Sequence, residues 1–151
     1  MRKINPAYIE ELKQTINASP YPAHMSMQLE SVDYDKAEVV LDTGRQHLQP
    51  FGIVHGGVFA TLIDTATFWA GFLRIPEDAG LVNVDLKLNY LKSVTDQKLR
   101  AFGLVLRPGR TVSYAEAKVY DASGDLVAHG TSSLLVLPGK GLPSKAKKFL
   151  D

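Results

Sequence analysis

No cysteine occurs among the 151 residues. Disulfides, thiolate catalysis and cysteine metal sites are therefore excluded. An excess of either charge is also missing: 17 Lys and Arg stand against 16 Asp and Glu, a net charge of +1. Nothing in that balance points to a nucleic-acid partner or an acidic surface. Long hydrophobic runs are absent too. The greasiest stretch, 51–73, is interrupted by His55 and Asp64 and does not read as a membrane span. The opening MRKINPAYIEELKQTI lacks the apolar core of a signal peptide. A cytoplasmic protein with no membrane partner is the expectation. His24, His47 and His129 show no ligand spacing such as H-E-x-x-H, so no metal and no resident cofactor are expected. What remains is an ordinary globular balance, 45% apolar and 22% charged. The length favours one domain over 1–151 and is enough for a core without covalent staples.

Asn5-Pro6 reads as an N-cap followed by proline at the first helical position. Tyr8, Ile9, Leu12 and Ile16 follow at helical spacing, so a short amphipathic helix is expected within 1–20, ending near Asn17-Ala-Ser-Pro20. Strands are expected at about 25–33 and 36–42. Gly44, Pro50 and Gly52 mark a loop. A helix over about 56–73 follows, with Pro76 barring its continuation. The period then changes to two: Val84, Leu86, Leu88 and Tyr90 alternate with Asp85, Lys87 and Asn89. Segments near 96–107, 111–121 and 125–137 are strand-like, the last two forming a hairpin. The tail over 138–151 is polar and basic and is expected to be mobile. Helices and strands are segregated rather than alternating, which reads as α+β with a mainly antiparallel sheet. The central helix is apolar nearly all round, as a buried helix is.

Two features of that helix carry the functional reading. Asp64 has Ala60, Thr61, Thr67 and Phe68 as its neighbours three and four residues away, none of them cationic. An unpaired buried carboxylate is costly, or its pKa rises. Asp64 therefore either meets a partner, water or a functional cleft, or reaches solvent at the helix edge. The pair Gly56-Gly57 opens the helix. Unpaired N–H groups at a helix start, bare of side chains, suit a carbonyl oxygen gaining negative charge. The plainer reading is a tight loop-to-helix turn.

Gln49, His55-Gly56-Gly57 and Asp64 within V-F-A-T-L-I-D together resemble the active-site segment of the hot-dog-fold acyl-CoA thioesterases, most closely the phenylacetate-pathway (PaaI-type) branch. VNVDLKLNYLKS and GDLVAHGTSSLLVL extend the likeness over roughly 35–137. The resemblance implies a long helix wrapped by an antiparallel sheet of about five to six strands. It also implies a homodimer or a dimer-of-dimers tetramer, with sites at the dimer interface. In those terms the Gly56 N–H meets the thioester carbonyl with Gln49 nearby, and Asp64 of the facing subunit acts as general base or as a nucleophile forming an anhydride. Where relatives place a Ser or Thr to position water, this chain has Asn83. His55 is a suitable base by pKa, but the resemblance favours a role in shaping the turn. Gly57 and Phe68 are candidates for lining the substrate site. Lys92, Arg107 and Arg110 are candidates for the phosphates of CoA, each with a solvated edge charge as the simpler reading. Gln49 replaces the Asn usual in this branch, and Phe68 replaces a hydroxyl found in another.

The implied activity is hydrolysis of a medium-chain or aryl acyl-CoA to free acid and CoA. The alternatives are a dehydratase or hydratase on acyl thioesters, a non-catalytic acyl-CoA binder, and a purely structural module. The last requires a solvent-exposed Asp64 and a sealed helix start.

Overall fold

The computed structural model describes residues 1–150. Two helices lead the chain, α1 (Pro6–Asn17) and α2 (Pro20–His24), and strands β1 (Met27–Asp33) and β2 (Lys36–Asp42) follow. After a 3-10 turn at Arg45–His47 comes the long helix α3 (Gly56–Phe72). The remaining strands are β3 (Gly80–Asn83), β4 (Lys87–Tyr90), β5 (Lys98–Arg107), β6 (Val112–Tyr120) and β7 (Leu126–Leu137). Every pairing is antiparallel, in the order β1-β2-β5-β6-β7-β3, and β4 also pairs with β7. Seven strands thus fill six places, and the architecture is α+β, as the segregation of elements predicts.

The helix α3 lies across the curled sheet and touches β2, β5, β6 and β7. Leu62, Ile63, Ala66 and Ala70 are sealed from solvent on its sheet-facing side. Each buried Leu or Ile contributes about 1.5–3 kcal/mol. The strands beneath are built from small residues, so the helix backbone comes close. A Cβ on Gly103 would stand 2.1 Å from the Ala66 carbonyl oxygen, a contact only glycine permits.

Three local features depart from the sequence reading. The first helix ends at Asn17, as expected, but Pro20 then starts a second short helix, α2, as its first residue, where a missing N–H costs nothing. The alternating stretch 84–91 is not one continuous strand. Asn83 pairs with Leu134 and Lys87 with Thr131, four steps along the edge against three along β7, so the edge slips by one at Val84–Leu86. The carboxylate of Asp85 accepts from the Ser133 N–H at 2.8 Å and holds that bulge in place.

The tail is docked rather than mobile. The Lys145 and Ala146 N–H groups donate to the Glu11 carboxylate at 2.8 and 2.9 Å, and Phe149 bridges to Ile4. Lys148 is buried, its ammonium donating to the Phe72 and Ile75 carbonyls at 2.7 and 2.8 Å over the Phe72 ring. A basic tail looks solvated in sequence, but one of its lysines caps the C-terminus of α3, where cations are favoured. Desolvation lowers the Lys148 pKa to about 8.

Candidate active site

The start of α3 is fixed by two histidines. Buried His47 accepts the Gly44 N–H at Nδ1, and its Nε2 meets the Met25 carbonyl at 2.9 Å, tying the loop to the end of α2. His55 is the N-cap: its backbone N–H donates to the His47 carbonyl, and its Nδ1 accepts the Gly57 N–H at 2.8 Å. With Nδ1 used as an acceptor, the ring hydrogen sits on Nε2, and His55 holds the turn.

The cap satisfies Gly57 and leaves Gly56. Among the described residues the Gly56 N–H has no hydrogen-bond partner, and Gly56 lines a cavity of about 380 Å³ together with Gln49, Phe59, Tyr90 and Lys92. The Gln49 Oε1 accepts the Phe51 N–H at 2.6 Å, which leaves its Nε2 as a donor. Tyr90 covers the glycine: a Cβ on Gly56 would stand 3.0 Å from its ring and hydroxyl. Lys92 is at the rim, bonded to Asp121 at 2.9 Å and Asp125 at 2.5 Å. Those bonds, the one to Asp121 first, raise its pKa.

Asp64 belongs to a different cavity, about 230 Å³, walled by α1, α2 and α3. The residue is exposed, and its carboxylate has no hydrogen bond or ion pair among the described residues. Desolvation by its surroundings pushes the carboxyl above its ordinary value. Asp64 thus meets one condition for a structural module, exposure, but the helix start is open rather than sealed. Eight residues separate it from Gly56, about 12 Å along a helix. One chain does not bring the two together.

Asn83 lies beside the Asp64 turn. Its Nδ2 donates to the Asp64 carbonyl and to the Thr67 Oγ1, both at 3.2 Å. Its Oδ1 is buried without a partner, the one such side-chain atom among the described residues. Phe68 flanks Asp64 in the same cavity, meets Trp69 edge-on and stacks on Phe72. Arg107 and Arg110 are exposed, and Arg110 lies with Ile75 and Pro76 beyond the C-terminal end of α3, away from Gly56. No cluster of three or more His, Asp or Glu able to hold a metal occurs among the described residues. No helix there is long and apolar enough to cross a membrane. A groove of about 640 Å³ on the opposite face of the sheet contains none of these groups.

The sequence profile of the thioesterase superfamily matches residues 51–128, more than half of the chain and the stretch that holds His55, Gly56 and Asp64. The chain belongs to the thioesterase superfamily. This thioesterase is 36% identical over 89 residues to the proofreading thioesterase EntH of Klebsiella pneumoniae, covering 59% of this chain and 64% of that one. Its fold is that of a Haemophilus influenzae thioesterase, with TM-score 0.82 and 23% identity over 97% of this chain and all of that one. The Escherichia coli PaaI protein of the phenylacetic acid degradation operon has the same fold, with TM-score 0.78 and 17% identity over 88% and 95% of the two chains. The hot-dog architecture and thioester hydrolysis follow.

Two neighbours of the thioesterase's site were not legible in sequence. Thr67 reads as a helix residue, but its hydroxyl is the buried post that ties Asn83 to α3. Tyr90 reads as one more apolar position in an alternating strand. Only the pairing of β4 with β7 brings its ring over Gly56.

Proposed function

We propose that this thioesterase hydrolyses an acyl-CoA to a free acid and CoA at a site assembled from two copies of the chain. The observation that carries the reading is a split: an open, unpaired Gly56 N–H in one cavity and an unpartnered Asp64 carboxylate in another. The edge formed by β3 and β4 pairs only with β7, and Val82, Val84, Tyr90 and Leu91 along it are exposed. A second copy pairing along that edge joins the two sheets and supplies the missing half of each site.

In this reading the thioester carbonyl accepts from the Gly56 N–H and from the Gln49 Nε2. Such donors are typically worth about 3–4 kcal/mol as the oxygen becomes an oxyanion. The facing subunit's Asp64 takes a proton from water as the water oxygen attacks the carbonyl carbon. The tetrahedral intermediate then collapses, the C–S bond breaks, and the proton passes from Asp64 to the departing thiolate. Asn83 acts through its Nδ2, which donates to the Asp64 carbonyl and steadies the turn that carries the carboxylate; its buried Oδ1 is closed to the attacking water. Asp64 as nucleophile remains the second route.

The raised pKa of Asp64 suits a base, which needs proton affinity. His55 serves as the cap that presents Gly56, and Gly57 keeps the approach bare. Lys92 with its two carboxylates makes a net negative cluster and is a poor phosphate ligand by itself. Arg107 and Arg110 are free for a CoA lying along a neighbouring subunit.

Free-thiol release from short, medium, long and aryl acyl-CoAs tests the reading, with Asp64→Asn beside wild type. Hydrolysis that collapses in the variant supports it. Hydrolysis unchanged in the variant, or none at all, sinks it.

A further inference from the structure

The cavity at Asp64 is built largely from parts of the chain outside the matched stretch 51–128. Ile16 comes from α1, Met27 opens β1, and Leu142 belongs to the tail; Phe68 and Trp69 complete the apolar lining from α3. Tyr21 of α2 reaches across and shares a hydrogen bond of 2.7 Å with Thr61, one turn before Asp64. Both ends of the chain are tied to each other and to α3. The Asn5 N–H donates to the Lys148 carbonyl, Glu11 accepts two tail N–H groups, and Lys148 caps α3. The tail therefore holds Leu142 against the chamber.

We propose that this chamber takes the acyl group of the substrate, and that α1, α2 and the docked tail set which acyl groups fit. The inference rests on the thioesterase reading above, since it needs the scissile carbonyl beside Asp64. Its chemistry is specific. At about 230 Å³ the space exceeds the roughly 150 Å³ of an apolar cavity that takes benzene. That suits a phenyl-bearing or medium-length chain and is too small for a long fatty acyl. No Lys, Arg or His lines it, and its one charged group is the Asp64 carboxylate. An acyl group ending in a carboxylate is repelled without any compensating cation. The substrate class is an uncharged apolar acyl.

Trp69 is the only tryptophan, so its emission reports the chamber directly. Titration with octanoate is expected to change that emission saturably, while succinate does not. In the acyl-CoA panel, octanoyl-CoA is expected to exceed succinyl-CoA at least tenfold in kcat/KM. Leu142→Trp, at a half-buried position, is expected to lower kcat/KM for octanoyl-CoA at least tenfold more than kcat/KM for acetyl-CoA. Leu142→Ala is expected to move the preference toward longer chains. Thermal melts of both variants check the fold. Equal effects on all chain lengths, or equal use of succinyl- and octanoyl-CoA, overturn the chamber and leave the thioesterase reading standing. A Trp69 response to octanoate with no hydrolysis of any acyl-CoA supports the chamber and sinks the hydrolytic reading.

Discussion

Gly56 and Asp64 stand on one helix, eight residues apart, and open into two separate cavities. A thioester carbonyl held at the first is out of reach of the second in the same chain. The helix start and the carboxylate act on one substrate only if a second copy brings its own helix across.

Subunit mixing checks this arrangement. Asp64→Asn protomers and Gly56→Ala protomers are each expected to be nearly inactive. Unfolded and refolded together at 1:1, half of the dimers are hybrids with one intact site of two. Recovery of about a quarter of wild-type activity is expected for that C2 arrangement. No recovery, with hybrids shown to form, removes the shared site.

Removing the carboxylate separates function from stability. Asp64→Asn is expected to lower kcat by at least about 10²-fold, and Gln49→Ala to lower it less. The folded-state pKa of Asp64 is raised, so its contribution to stability is present below the unfolded-state value and is lost as pH rises through the folded one. Asp64→Asn is therefore expected to melt no lower than wild type at neutral pH, with any gain vanishing in acid. A lower melting temperature for the variant at neutral pH contradicts this. In the wild type, the acid limb of kcat/KM is expected above the ordinary Asp range.

Lys148 is expected to matter to folding more than its place in a polar tail suggests. Lys148→Met strands the Phe72 and Ile75 carbonyls, at about 1–3 kcal/mol for each unsatisfied group. Because its folded pKa is lowered to about 8, the unfolded chain binds more protons between there and the ordinary lysine value of 10.5. Stability from this group rises with pH across that window. Chemical denaturation of wild type and variant at several pH values should show their difference widening from pH 8 upward; a flat difference refutes the assignment.

Gly103→Ala tests the contact between sheet and helix. The added Cβ meets the Ala66 carbonyl at 2.1 Å, and backbone has no rotamer with which to step aside. A loss of about 1–3 kcal/mol or more is expected from overpacking. Urea denaturation with unchanged stability excludes so close a packing.

Much of this was readable in one dimension because local chemistry fixes it. Asn5-Pro6 announced α1 and caps it through the Ala7 N–H. The apolar run from Val58 to Phe72 announced a buried helix. The His55-Gly56-Gly57 turn followed by Asp64 announced the family. The bulge at Val84–Leu86 escaped, since alternation continues across a slip that only pairing with β7 reveals. The docking of the tail escaped because the cost of burying the Lys148 charge is offset by two carbonyls more than seventy residues away.

Periodicity, capping and residue type act over a few positions, so the sequence alone determined α1 and α3, most of the strands, the bare helix start and the acid two turns along it. The tertiary structure alone decided that Asp64 faces a chamber walled by both chain ends, that Tyr90 covers Gly56, and that Gly56 and Asp64 open to different sides. These depend on which distant segments meet, and no short window of residues carries that information.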